Sequence, residues 1–112
     1  MATYYDLVII GAGPGGYTAA IKGASFGMKV AVVDENKLGG VCINRGCIPT
    51  KALLHASNIF SMMQHGDEFG VSTDFISFDF AKMQDYKKRS VRRSYGTAMK
   101  SNSCLIKITS PL

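Results

Sequence analysis

Tryptophan is absent from the 112 residues, proline occurs only three times and cysteine only three times. Three cysteines are too few for the disulfide-dense frameworks that hold small secreted domains together, so any fold has to come from an apolar core. Carboxylates are also scarce, eight against 13 basic residues. No apolar run approaches the roughly 20 residues of a bilayer-spanning helix, and the first such stretch is cut by glycine. Asp6 stands where a secretory leader wants positive charge. These features predict a cytoplasmic, reducing setting without a membrane partner. There, a close cysteine pair serves catalysis, redox sensing or metal binding more often than stapling.

Glycine, by contrast, is plentiful, and its placement organises the first third of the chain. Leu7 to Ile10 is a continuous run of branched apolar residues, the pattern of a parallel strand buried on both faces. Gly11-Ala-Gly13-Pro-Gly15-Gly16 follows, then a segment from Tyr17 to Phe26 with Tyr17, Ala20, Ile21 and Ala24 at helical spacing and Gly27 as its stop. Met28 to Val33 reads as a second buried strand. Strand, glycine turn, helix and strand make a right-handed βαβ unit of an α/β fold.

A lone GxGxxG is weak evidence, but one that leaves a buried strand and opens a helix is much stronger. Gly11 suits the tight turn, Gly13 lets backbone approach a pyrophosphate, and Gly16 permits close helix–strand packing. Asp34, 18 residues after Gly16, stands at the end of the second strand, where a carboxylate accepts hydrogen bonds from a ribose diol. Glu35 competes with it, but strand-end geometry favours Asp34. The loop alone does not separate NAD from FAD.

Cys42 and Cys47 lie a few residues downstream, in Gly39-Gly40-Val41-Cys42-Ile43-Asn44-Arg45-Gly46-Cys47-Ile48-Pro49-Thr50-Lys51. On a straight α-helix, positions i and i+5 have Cα atoms roughly 8.6 Å apart, beyond the ~7 Å a disulfide tolerates. The segment must therefore bend for the sulfurs to pair, and Gly46 and Pro49 are expected to loosen the helix there. With the glycine loop so near, the pair points to a flavin-linked dithiol/disulfide centre. A zinc site from Cys42, Cys47, Cys104 and a histidine lacks the usual two-to-four-residue cysteine spacing. No metal site is expected.

Further on, Leu53, Leu54, Ile59, Phe60, Met62 and Met63 mark a helix reaching Gln64, with His55 and His65 as surface or helix-end residues. Gly66 to Phe78 reads as irregular with room for a short strand, Asp79 as the N-cap of a helix to about Lys100, and Leu105 to Ile108 as a strand. Cys104 reads as a small buried apolar residue. Seven of the 13 basic residues fall between Lys82 and Lys100 against a single carboxylate, Asp85. A solvated helix face, or one that meets an absent partner segment, explains that stripe better than a nucleic-acid or acidic-partner patch, since no aromatic stacking platform accompanies it.

From Gly11 to Leu54 the sequence GAGPGGYTAAIKGASFGMKVAVVDENKLGGVCINRGCIPTKALL resembles the flavoprotein disulfide reductases, and within them the dihydrolipoamide dehydrogenases. The Cys47-Ile-Pro-Thr-Lys-Ala-Leu-Leu54 ending favours these over glutathione or mercuric reductases. The resemblance implies the N-terminal part of a Rossmann-like FAD-binding fold, with FAD as cofactor and NAD as final acceptor. The substrate would be a small dithiol or a lipoyl group on a partner protein, and the full-length enzyme a homodimer without nucleic-acid partners. Cys42 would be the interchange thiol and Cys47 the charge-transfer thiol against the flavin, with Lys51 near the isoalloxazine. Gly11, Gly13, Gly15, Gly16, Gly39, Gly40 and Asp34 would hold the dinucleotide.

Three positions depart from the pattern. Val41 stands where threonine is common, Thr50 where serine is, and Arg45 adds charge between the cysteines. Residues 1–112 would then be a truncated, partial FAD-binding domain lacking the NAD and interface domains, and inactive alone. The competing expectation is a non-catalytic remnant that binds nucleotide weakly.

Overall fold

In the computed structural model, residues 4–99 and 105–108 are described, 97–99 and 105–108 as backbone only. The elements are β1 (Leu7–Ile10), α1 (Pro14–Ser25), β2 (Val30–Asp34), α2 (Gly40–Asn44) and α3 (Cys47–Gln64), then a 3-10 turn (Gly66–Phe69), α4 (Phe80–Met99) and β3 (Leu105–Ile108). Lys100 and Cys104 lie outside the described residues.

The three strands form one parallel sheet in the order β1-β2-β3. Leu7 pairs with Val30 and Ile10 with Val33, while Ala31 faces Leu105 and Asp34 faces Ile108. Parallel neighbours need a crossover, and α1 supplies the one between β1 and β2. Its inner residues Ala20 and Ala24 meet Val30, Val32, Ala12 and Leu38, with Leu7, Ile9, Met28 and Tyr95 packed around them. This is the main core, and it is small.

Burial of β1 differs from expectation. Leu7 and Ile9 turn toward the core, but Val8 is 56% exposed and Ile10 90%. The strand is an edge, and among the described residues α1 is the helix that packs on it, so one face is left open. On that same face of the central strand, Ala31 is buried because it is short and flanked by strands on both sides.

Helix α1 begins three residues earlier than the hydrophobic spacing suggests. Pro14 occupies its first turn, where a fixed φ helps and the missing N–H costs nothing, so Gly15 and Gly16 are helical rather than part of the turn. Strand β2 is likewise displaced to Val30–Asp34. Met28 N–H is held by the Gly23 carbonyl and Lys29 N–H by Asp6, which ties both residues into the connection before the strand.

Helices α3 and α4 pack against each other, with His55 near Tyr86 and Phe60 edge-on to Phe78. Asp79 caps α4 as expected, its Oδ1 accepting Lys82 N–H at 3.0 Å. That bond, first among its contacts, holds the carboxyl below the ordinary range. No strand occurs between Gly66 and Phe78. His55 and His65 are both exposed, and His65 ends α3 with Nδ1 2.8 Å from the Ser61 carbonyl.

Candidate functional site

The glycine loop leaves the carboxyl end of β1 and turns into α1. Gly11 has φ +99°, a backbone region L side chains rarely adopt. Gly16 is required for a different reason, since a Cβ there would fall 1.8 Å from the Gly11 carbonyl oxygen. The N-cap residue, Gly13, has no side chain to bond the first-turn N–H groups of α1, and no acidic residue occupies that turn. Those donors and the helix dipole are open to an anion from outside.

A second glycine segment lies across the first. Gly40, at φ +62°, would place a Cβ only 2.8 Å from Gly13 Cα, and Gly39 N–H donates to the Ala12 carbonyl at 2.9 Å. Two backbone strips thus meet with nothing between them. Gly15 stands in the first turn of α1, where a Cβ would meet nothing within 4 Å.

Asp34 joins the loop to β2. Its Oδ2 accepts Ala12 N–H at 2.6 Å and its Oδ1 accepts Asn36 N–H at 2.7 Å. These two donors, Ala12 foremost, pull the carboxyl below its usual range against a small opposing effect of burial. Glu35 is exposed, and its Oε1 accepts from the Asn36 carboxamide at 3.3 Å. Of the two carboxylates, Asp34 is the one built into the loop.

Asn44 holds the connection between β2 and α2, and nothing in its sequence context marks it. Its Nδ2 donates to the Leu38 and Gly40 carbonyls, both at 2.9 Å, with Lys37 O more distant at 3.4 Å. One carboxamide therefore fixes the glycine segment that lies on Gly13.

Cys42 and Cys47 are joined in a disulfide with Cα atoms 4.6 Å apart. The bend required for pairing is present, at Gly46 as expected together with Arg45, between two separate helices, whereas Pro49 does not make it. Pro49 sits in the first turn of α3, a position that tolerates proline. At Gly46 a Cβ would crowd the Val41 carbonyl at 3.1 Å and Cys42 Cα at 3.4 Å.

Cys47 is the first residue of the 18-residue α3 and is exposed; Cys42, inside α2, is half-buried. The helix N-terminus favours a thiolate at Cys47 over one at Cys42. Lys51 is exposed one turn further along, on the same side of α3 as Cys47. Among the described residues no group of three histidine, cysteine or acidic side chains is placed to hold a metal ion. No helix among them is long and apolar enough to cross a membrane.

Residues 5–106 match the family model described as pyridine nucleotide-disulphide oxidoreductase. The chain is 50% identical over 91 residues to a dihydrolipoyl dehydrogenase of Staphylococcus aureus, covering 81% of this chain and 19% of that protein. It is 43% identical over 105 residues to a dihydrolipoyl dehydrogenase of Chlamydia muridarum, covering 91% and 23% respectively. Among solved structures it resembles the Cu(II) complex of the HOCl-induced flavoprotein disulfide reductase RclA from Escherichia coli. That likeness has a TM-score of 0.73 at 26% identity, over 97% of this chain and 22% of that one. The chain spans about a fifth of the length of these relatives.

Proposed function

The chain belongs to the pyridine nucleotide-disulphide oxidoreductase family, and we propose that within it residues 1–112 form the N-terminal, FAD-binding and disulfide-bearing part of a dihydrolipoamide dehydrogenase. The observation that carries this reading is the Cys42–Cys47 disulfide set directly after Gly39–Gly40, whose backbone lies against Gly13 of the glycine loop. The residues fit a dinucleotide. A Cβ would fill the Gly13–Gly40 contact, the first turn of α1 is free of side-chain caps, and Asp34 stands at the end of β2.

Gly11, Gly13, Gly15, Gly16, Gly39 and Gly40 give the pyrophosphate close backbone approach, and Asp34 offers acceptor oxygens to the ribose. FAD, when bound, supplies the two-electron chemistry that passes reducing equivalents to NAD. The chain's own contribution is thiol exchange. A substrate thiolate attacks Cys42 Sγ, the Cys42–Cys47 bond breaks, and its electron pair leaves on Cys47, stabilised at the start of α3. The second substrate thiol then attacks the mixed disulfide and releases Cys42. The dithiol leaves as a disulfide and the chain keeps two thiols.

Lys51 and Arg45 place positive charge beside these thiolates. The substrate on this reading is a small dithiol or the lipoyl group of a partner protein, with a homodimer in the cytoplasm as its setting. The relatives compared by sequence are dihydrolipoyl dehydrogenases.

Equilibrium titration tests the cradle. FAD should bind residues 1–112 saturably but weakly, and FMN, which lacks the adenosine half that meets the glycine loop and Asp34, should not compete. Equal binding of the two would refute the role given to the loop. Stoichiometric nanomolar FAD binding would refute the view that these residues hold only part of the flavin pocket.

A further inference from the structure

We propose that the cleft bounded by α2, α3 and α4 is a second anion site, distinct from the dinucleotide cradle and built for a small molecule carrying several phosphate groups. The cleft has a volume of ≈ 710 Å³, within the range of small-molecule sites. Five cationic side chains line it: Lys37, Arg45, Lys87, Lys88 and Arg92. They arrive from three places in the chain, the connection after β2, the junction between α2 and α3, and one face of α4. No carboxylate is among the described lining residues.

Gathering like charges in a concave site is unfavourable unless something answers them. Lys88 has Asp85 at 3.5 Å, an exposed pair of little strength, and Lys87 donates to the neutral Gln84. Lys37 is poised over the Tyr95 ring, 5.9 Å from its centroid. The remaining demand for negative charge suits phosphate oxygens, which lysine and arginine bind as point charge and fork respectively.

From sequence, a helix face without an aromatic stacking platform is expected for this basic stripe. Tyr95, which belongs to that stripe, lines the cleft together with Leu53 and Val91. These give an apolar wall on which a nucleobase can lie, so a nucleoside polyphosphate uses more of the site than inorganic phosphate does. A nucleic-acid duplex is disfavoured, because the cations line a pocket and Lys82 and Arg89 of the same helix do not line it. A smaller cleft of ≈ 530 Å³ beside it contains Asp34 and Gly40 and shares Lys37, Asn44 and Arg45. The larger cleft has neither the glycine loop nor Asp34 among its lining residues.

Calorimetric titration of sodium tripolyphosphate, and of ATP, into the protein alone and saturated with FAD tests the proposal. With FAD saturating the cradle, which itself takes adenosine phosphates, both probes should bind at one further site, ATP more tightly than tripolyphosphate. The double substitution Lys88→Ala/Arg92→Ala should weaken binding by about tenfold or more, a loss of about 1.4 kcal/mol or more, while Lys88→Arg/Arg92→Lys retains it. Far-UV circular dichroism of each variant checks that α4 persists.

Three results would overturn the proposal. One is no saturable binding, or binding unchanged in the alanine pair. Another is loss of binding on FAD saturation, which would make the cleft part of the cradle. The third is short duplex DNA binding more tightly than ATP, which would assign the surface to nucleic acid.

Discussion

Gly15 and Gly16 are adjacent in sequence and helix, yet the structure predicts opposite outcomes when each is changed to alanine. At Gly16 the new Cβ would lie 1.8 Å from Gly11 O and 2.9 Å from Gly11 C. Ordinary contact begins at 3.4 Å, so a separation of about 1.6 Å must be opened between strand end and helix. Both neighbours are backbone and have no rotamer to move. Helix α1 must retreat, which parts Ala20 from Val30 and Val32, or the glycine loop must deform and lose the Asp34–Ala12 bond. Overpacking costs typically ~1–3 kcal/mol, and rigid atoms on both sides argue for the top of that range. At Gly15 nothing lies within 4 Å, and alanine keeps the N–H. Its stability should be unchanged or raised by up to about 1 kcal/mol, the glycine penalty in a helix. Urea unfolding followed by circular dichroism reads both. With a slope of ~1 kcal/mol/M for a chain this small, Gly16→Ala should lower the midpoint by about 2–3 M. A Gly16→Ala midpoint within experimental error of the parent, or equal losses at the two positions, would refute the packing argument.

Asp34→Ala should weaken FAD binding by about tenfold or more, in line with removal of a charged hydrogen-bond acceptor, and Glu35→Ala by much less; equal losses would mean the wrong carboxylate carries the ribose. The pH dependence follows from the lowered carboxyl of Asp34: its stabilisation is present in full above the unfolded value near ~3.9 and fades as pH falls through the still lower folded value. The stability gap between parent and Asp34→Asn should therefore close in acid, and a gap that widened there would reverse the assignment. Asn44→Ala should cost about 1–2 kcal/mol in urea unfolding by releasing the Leu38 and Gly40 carbonyls, and Asn44→Asp, which cannot donate to them, should not rescue it. In flavin-loaded protein challenged with 2-mercaptoethanol, peptide mapping should find the mixed disulfide on Cys42, because Cys47 at the start of α3 is the better leaving group; an adduct mainly on Cys47 would invert the two roles.

Much of the βαβ unit was legible because each of its parts has a local cause. Branched apolar runs make β1 and β2, Gly11 has to turn, and Gly27 stops α1. Where the structure departs from these local cues, contacts across the chain decide the outcome. Pairing order made β1 an edge, so Val8 and Ile10 are open despite a sequence that suits burial on both sides. Proline beside three glycines resembles a turn, yet Pro14 starts a helix because its ring already has helical φ. The cysteine segment announced that it must bend, but not that the bend would separate two helices at Arg45 and Gly46. Asn44 and the approach of Lys37 and Arg45 to α4 are tertiary facts with no periodicity to betray them.

The fold's own energetics bear on how the site works. Among the described residues Val30 and Val32 are the largest side chains buried completely, while Val8, Ile10, Leu54, Met62 and several phenylalanines remain largely exposed. The Cα radius of gyration is 19.9 Å, against about 13 Å for a compact domain of this length. A chain with so little buried apolar area has a small margin over its conformational entropy. The glycine loop, Asp34 and the cysteine segment are held by backbone hydrogen bonds and by the side-chain bonds of Asp34 and Asn44, with Ala12, Leu38 and Ile43 as their buried anchors. A ligand bound there stabilises the elements that bind it, by about 2.7 kcal/mol at a hundredfold excess over Kd. Occupancy and folding are then two readings of one equilibrium. Substitutions that loosen the loop should weaken nucleotide binding even where they touch no nucleotide, and thermal stability should rise with nucleotide concentration rather than hold at a fixed value.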